Sequence, residues 1–319
     1  MKFFEKSPSI SWETWFSRRL FSFAKVPKLI TVNPRQIEKS YIGTYPKKAT
    51  AACSSEYTRF LARYFSTTVQ LQVPSEVFET YLDNGLVGVE VRNVEGVLIG
   101  TVFSWYTGII NDTQCGLITW LCVHPNHRKK GVADILLHTI QNLTYPRTIH
   151  FFRNDGWLKS PLPPLWTDTR IYRKKMDRNT SLVQKVSLES KRNIIIDSWN
   201  KKHPEGLILD DPKFLNPLTE VWEYKLNGTL LILQQTYETE PYTNRKWCEI
   251  IYWVSDYTDY ELGLLIEIII DSLPYDYIDA PQNMPHVKTW SLGGQTSWSV
   301  HGLDPGSPVI RPVLSLLAV

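Results

Sequence analysis

Leu121 to Ala133, LCVHPNHRKKGVA, is the stretch from which the fold is read. It is led into by Cys115 to Val123, a nearly continuous apolar run that suits a central buried strand. It leads out into a helix expected from about Lys130 to Leu143, with Val132, Ile135, Leu136, Thr139 and Ile140 on one face. Between the two stands Arg128-Lys-Lys-Gly131-Val-Ala133. Backbone N–H groups at a helix start, together with the positive end of the helix dipole, close around an anion such as pyrophosphate. Gly131 lets the backbone approach an oxygen with no Cβ in the way, and Ala133 keeps the helix close. Arg128, Lys129 and Lys130 add positive charge where the anion sits.

Composition sets the frame for this loop. With 319 residues the chain is long for one ordinary domain and sufficient for two that share a core. Hydrophobic residues at 43% against 21% charged describe a globular protein, not a disordered one. The 12 Trp and 16 Tyr call for large aromatic surfaces, in the core or along a groove. A net charge of +3 is too small to argue for a nucleic-acid partner, and the basic run Arg170, Arg173, Lys174, Lys175, Arg178 reads as a solvated linker face. Cys53, Cys115, Cys122 and Cys248 are widely spaced, with no CxxC pair and no signal peptide ahead of them, so free thiols in a reducing, cytoplasmic setting are expected. The amino terminus has no continuous apolar run. Leu262 to Ile270 is interrupted by Glu267 and too short to span a bilayer, so a soluble protein without a transmembrane segment is expected, and a monomer.

Along the chain, residues 1 to about 50 are aromatic and basic and broken by Pro27, Pro34 and Pro46, as in an irregular arm wrapped on the body. Two helices follow, at Glu56 to Phe65 and Ser75 to Leu82. A hairpin of Gly85 to Arg92 and Val97 to Tyr106 precedes the central strand, the helix, and a further strand at Thr148 to Phe152. The same order recurs: a hairpin at Val221 to Lys225 and Thr229 to Tyr237, a strand at Lys246 to Ser255, a helix at Glu261 to Leu273, and a short strand at Asp276 to Ile278. The second copy has Asp256-Tyr-Thr-Asp-Tyr where the first has His127-Arg-Lys-Lys-Gly. A phosphorylated ligand is therefore expected in the first copy alone.

The spacing RxxGxA at 128–133, between a strand and a helix, resembles the coenzyme A signature of the GNAT superfamily. The fuller stretch Ile118-Thr-Trp-Leu-Cys-Val-His124 followed by 128–133 resembles the acyl-CoA segment of eukaryotic glycylpeptide N-tetradecanoyltransferase, the N-myristoyltransferase family. Phe23-Ala-Lys-Val-Pro-Lys-Leu29 is similar to that family's amino-terminal segment ending in Pro-Val-Pro-Lys-Leu. Phe151-Phe-Arg-Asn-Asp-Gly156 stands where the family has a strand ending in Tyr-Thr-Ala-Gly, with Asn154-Asp155 in place of Thr-Ala. Thr169-Arg-Ile-Tyr-Arg173 is similar to its Cys-Arg-Tyr-Trp-His linker. Leu292-Gly-Gly-Gln295 and Leu314 to Val319 resemble its last hairpin and carboxyl terminus.

The resemblance implies an α/β (α+β) fold, a tandem pair of GNAT acyl-CoA N-acyltransferase units around mixed, strongly twisted sheets. It divides the chain into an arm at 1–50 that covers acyl-CoA, an acyl-CoA-binding half at 51–178 and an acceptor-binding half at 179–319. It implies transfer of a long acyl group, myristoyl, from acyl-CoA as co-substrate to the N-terminal glycine of a protein, with no permanently bound cofactor. The backbone N–H groups of Trp120 and Leu121 would form the oxyanion hole, and the α-carboxylate of Val319 would be the base. Cys122, Val123, Arg128, Lys129, Lys130, Gly131, Val132 and Ala133 would hold the acyl-CoA, and Asn154 and Tyr252 would contact the acceptor.

Other readings stand beside these. Cys122 as a covalent nucleophile lacks a recognisable His and acidic partner, which favours a packing cysteine. His124 and His127 lack a third ligand at metal spacing, so no metal is expected. Tyr252 suits ordinary core, and Asp279 suits either the acceptor groove or a loop cap before Pro281. A GNAT acetyltransferase acting on a protein or small amine, and a catalytically silent GNAT-fold binding module, are the competing functions.

Overall fold

The computed structural model describes residues 46–65, 70–83, 85–110, 113–144, 148–155, 166–176, 180–202, 219–239, 244–282, 284–285 and 290–301. The expected arm, its VPKL segment and the carboxyl-terminal run ending at Val319 lie outside them. The first unit opens with β1 (Lys47–Lys48), α1 (Ser54–Tyr64), β2 (Gln70–Leu71) and α2 (Ser75–Asp83). Tyr57, Phe60 and Leu61 share one face of α1, and Phe78 and Tyr81 one face of α2. Each face is buried, which contributes roughly 1.5–3 kcal/mol per large apolar side chain. Then come β3 (Val87–Arg92), β4 (Leu98–Ile110), β5 (Thr113–Val123), α3 (Val132–Leu143) and β6 (Thr148–Asp155). Strand β7 (Trp166–Lys174) follows.

The second unit repeats the pattern: β8 (Val183–Val186), α4 (Leu188–Lys202), β9 (Thr219–Tyr224), β10 (Thr229–Thr239), β11 (Lys246–Val254), α5 (Asp259–Asp271) and β12 (Tyr277–Pro281). Strand β13 (Ser291–His301) is the last described element. Among the described residues thirteen strands form one mixed sheet in the order β1-β3-β4-β5-β6-β13-β7-β12-β11-β10-β9-β8, with β2 on β10. The pairings β5–β6 and β11–β12 are parallel, as a strand-helix-strand crossover requires. Strand β13 sits between β6 and β7, antiparallel to both, and β7 pairs with β12, so the two units meet through strands taken from both parts of the chain.

Helix α3 packs on one face of the first unit, against Val89, Val91, Ile99, Val102, Ile118 and Phe152. Helices α1 and α2 cover the other face with Phe103, Trp105, Trp120 and Cys122. Helix α5 lies on Leu231, Leu233, Cys248, Ile250 and Ile278, and α4 brings Trp199 to Tyr252 across the opposite face, ring centroids 5.1 Å apart. Gly100 is what lets α3 come this close: a Cβ there would meet Leu136 at 2.9 Å and Val132 at 3.0 Å.

Two expectations change. The basic run is not a solvated linker face: Arg170 and Arg173 lie on β7 inside the sheet, each 5% exposed. Strand alternation sends them to opposite faces, Arg170 to Glu249 and Asp279, Arg173 to Asp271. Only Lys174 of the described members is exposed, and Arg178 lies outside the described residues. Helix α4 and strand β8 were not expected, because the apolar residues of α4 bunch at Ile194 to Ile196 instead of spreading at helical spacing. The four cysteines are free.

Candidate active site

Strand β5 carries a bulge near its end. Thr101 faces Cys122 and Phe103 faces Thr119, so Trp120 and Leu121 together stand opposite Val102. Trp120 takes a φ of 48°, a conformation that costs on the order of 1–3 kcal/mol for a side chain of this size. Its ring supplies the compensation, packed among Phe78 at 4.9 Å, Phe103 at 5.8 Å and Trp105 at 6.0 Å. The parallel pairing with β6 ends at Ile118 and Phe152, while both strands run on. Beyond that pair the strands part, and the backbone of Trp120 and Leu121 lies on the wall of the opening.

The loop after β5 is held from three sides. The His124 N–H donates to Ile99 O at 2.9 Å, and the His124 ring nitrogen accepts from the Asn126 N–H at 3.2 Å. Arg128 donates from Nε to Val123 O at 3.0 Å and from Nη2 to Tyr64 O at 2.9 Å. Its guanidinium thus ties the loop to carbonyl groups of β5 and α1. Lys130 donates from Nζ to Asn126 O at 2.7 Å. Lys129 and Gly131 both take left-handed backbone, φ 61° and 79°, and Gly131 is the N-cap of α3 with no side-chain acceptor. The first-turn amides of a helix have no partner within it, and among the described residues the N-cap Gly131 offers no side chain to take them. Lys129 and Lys130 are exposed beside them. Val132 is buried against the sheet, so only its backbone faces the loop, and Ala133 is half-buried.

Cys122 is buried, and burial pushes its thiol up to about 12, which keeps it protonated and suits packing. Val123 and Leu121 pack partly buried on the α3 side. Burial, with His124 beside it, holds His127 below the usual imidazole range. Among the described residues no three His, Cys, Asp or Glu side chains are grouped as metal ligands.

The second unit has the same strand geometry and a different loop. Ile232 faces Tyr252 and Leu233 faces Ile250, which makes Ile251 the bulged residue of β11, and the pairing with β12 ends at Glu249 and Asp279. The start of α5, however, is closed by a capping box: the Thr258 side chain takes the N–H of Glu261, and the Glu261 carboxylate takes the N–H of Thr258. Here the side chain of Thr258 takes one first-turn amide and the Glu261 carboxylate stands at the helix start, where it repels an anion, and no basic side chain replaces Arg128 to Lys130.

Between the units lies a set of buried charges whose mutual contacts the sequence did not reveal. Arg153 on β6 meets Glu249 at 2.6 Å, Arg170 meets Glu249 at 2.7 Å, and Arg170 meets Asp279 at 3.0 Å. Burial pushes the Asp279 carboxyl up to about 6, against the pull of Arg170. Asp279 is therefore part of a strand ion pair and not a loop cap. The available signal was a lone charge inside each apolar strand, Arg153 after Phe151-Phe152 and Glu249 within Trp247 to Val254. Asn154 pairs with Ser297 across β6 and β13. Tyr252 is 7% exposed, its hydroxyl 3.0 Å from Ser198 Oγ and its ring under Lys202 Nζ at 5.2 Å. Burial raises its phenol.

Residues 55–144 match the model of the Acetyltransferase (GNAT) family, a span that contains β5, the loop and α3. No curated protein matches the sequence significantly. Among solved structures, Saccharomyces cerevisiae N-myristoyltransferase with bound myristoyl-CoA and inhibitors is similar, at 12% identity and a TM-score of 0.62 over 89% of this chain and 85% of that one. A second structure of the yeast enzyme, with bound myristoyl-CoA, gives 12% identity and a TM-score of 0.61 over 89% and 87%. Residues 55–144 thus match the GNAT family, and the chain as a whole has the two-unit GNAT fold seen in N-myristoyltransferase.

Proposed function

We propose that the chain transfers a long acyl group, myristoyl, from acyl-CoA to the N-terminal glycine of a protein. The observation that carries this reading is the asymmetry of the two units: both have a bulged, parted central strand, and only the first follows it with an open, basic, glycine-led helix start. In this reading residues 51–178 hold the donor under the arm at 1–50, and 179–319 receive the acceptor.

The pyrophosphate of the donor sits on the amides around Gly131, Val132 and Ala133 beside Lys129 and Lys130, with Arg128 fixing the loop's shape. The rest of the donor runs along Cys122 and Val123 to the opening. The thioester oxygen takes hydrogen bonds from the N–H groups of Trp120 and Leu121, which stabilise the charge that develops on it during attack. The acceptor nitrogen, steered by Asn154 and Tyr252, bonds to the thioester carbon, the carbon–sulfur bond breaks, and the sulfur leaves as the coenzyme thiolate. The proton lost by the amine goes to the α-carboxylate of Val319 and from there to the thiolate. A carboxylate with an ordinary pKa of roughly 3.5 serves as this base only when desolvated and held close.

Acetyl transfer is the second reading, favoured by the acetyltransferase match of residues 55–144. Calorimetric titration with myristoyl-CoA, acetyl-CoA and free CoA separates the two. Myristoyl-CoA should bind at least tenfold more tightly than acetyl-CoA; equal affinities would support the short acyl group.

A further inference from the structure

The two strands that part at the candidate donor site are β5 and β6, and the first residue of β6 beyond their last pair is Arg153. Phe152 before it faces the α3 side of the sheet, so strand alternation turns Arg153 to the other face, the side of α1 and α2. There its Nη1 meets Glu249 Oε2 at 2.6 Å. Glu249 sits on β11, and three strands, β13, β7 and β12, stand between β6 and β11. In a flat sheet those four steps span roughly 19 Å, more than an arginine and a glutamate bridge end to end. The sheet therefore curls toward this face, and the pair closes the curl. The first unit's β2 on the second unit's β10 makes a further connection between the units.

Glu249 is held in its turn. Its other oxygen takes Arg170 at 2.7 Å, and Arg170 also donates to Asp279 at 3.0 Å. Glu249 and Asp279 form the last pair of the parallel β11–β12 ladder, the place that Ile118 and Phe152 occupy in the first unit. The point where one unit's strands part is thus linked by charge to the point where the other's part. Arg153 is one quarter exposed at its side chain, whereas Glu249 and Arg170 are 5% and 6% exposed. The Glu249–Arg170 pair is the buried anchor, and Arg153 is the arm that reaches it.

We propose that Arg153 is a positioning residue: by its pair with Glu249 it holds the tip of β6 away from β5, and the acceptor unit thereby sets the width of the donor opening. The proposal rests on the reading of β5 and α3 as the acyl-CoA site. It separates two properties that a common site would otherwise join. The pyrophosphate grip depends on the loop at 128–133, on the far side of β5, and is independent of Arg153. The alignment of thioester and amine depends on the opening, and small misplacements there lower the rate steeply.

The test compares wild type, Arg153→Gln and Arg153→Lys for CoA affinity, melting temperature and single-turnover acyl transfer to a glycine-led peptide. Glu249 stays paired with Arg170 in both variants. The expected result for Arg153→Gln is a CoA Kd within about twofold of wild type and a transfer rate lower by about 10- to 100-fold. Arg153→Lys, which keeps the charge but loses reach and the planar fork, should lie between the two. A wild-type rate in Arg153→Gln overturns the proposal, and so does a parallel loss of CoA binding and transfer. Should Arg153→Gln fail to fold, Arg153→Lys decides alone: a several-fold slower rate at unchanged CoA affinity supports it, and an unchanged rate overturns it. A wild-type chain that binds no CoA contradicts the functional reading itself, a distinct outcome.

Discussion

Arg128 donates from Nη2 to the carbonyl oxygen of Tyr64 at 2.9 Å, tying the loop before α3 to the last residue of α1. A cation at a helix C-terminus meets carbonyls that the helix leaves open. With its second bond to Val123, Arg128 is a strut of the loop. Arg128→Ala should cost about 1.5–3 kcal/mol of local stability, the range for hydrogen bonds to a charged group. The expected reading is faster amide exchange across 124–131 and CoA affinity lowered by about tenfold.

Gly131 has φ 79°, where a Cβ costs roughly 1–2 kcal/mol, and the same Cβ would stand beside the helix start to which the proposed function assigns the pyrophosphate. Gly131→Leu should fold and lose at least about 100-fold in CoA affinity, close to 3 kcal/mol. Because the start of α5 is closed by Thr258 and Glu261, no second, weaker site should remain. Isothermal titration should give one CoA per wild-type chain and none for the variant.

At Gly100 the constraint is packing. A side chain there meets Leu136 and Val132, the core-facing residues of α3. Gly100→Val should destabilise by about 1–3 kcal/mol through overpacking, seen in urea unfolding. Because the displaced helix carries the Gly131 loop, CoA affinity should fall with it.

Asp279 gives a pH dependence with a definite sign. Burial raises its carboxyl from 3.8 to about 6, so between those values the folded chain holds a proton that the unfolded chain has released. The stability contributed by this group is fully present below its unfolded pKa and is lost as pH rises through about 6. Asp279→Asn has no such slope. The stability of the variant minus that of wild type should therefore rise between about pH 4 and about pH 6 and level off above, measured by urea melts across that range. A difference that falls over this range would contradict the assignment.

What the sequence made legible was local. The run from Cys115 to Val123, the basic turn and the amphipathic stretch after it gave β5, the loop and α3, because strand, turn and helix signals there all agree. The recurrence of hairpin, strand, helix and strand gave the second unit. The hidden parts depend on partners far along the chain. Nothing near Arg170 shows that Glu249 and Asp279 will neutralise it, so a charged strand reads as a linker. The bulge at Trp120 needs the register of β4, and the charge link from Arg153 to Glu249 needs the curl of the whole sheet.

The central claim, long-chain N-acylation at an N-terminal glycine, is tested most directly by intact-mass spectrometry of the product. The full chain is incubated with myristoyl-CoA and, in parallel, acetyl-CoA, together with a glycine-led peptide carrying an internal lysine. The expected result is a myristoylated peptide whose fragment ions put the acyl group on the terminal nitrogen, with little product from acetyl-CoA. Acetylation without myristoylation, acylation of the lysine alone, or no transfer by a chain that binds CoA would contradict the account.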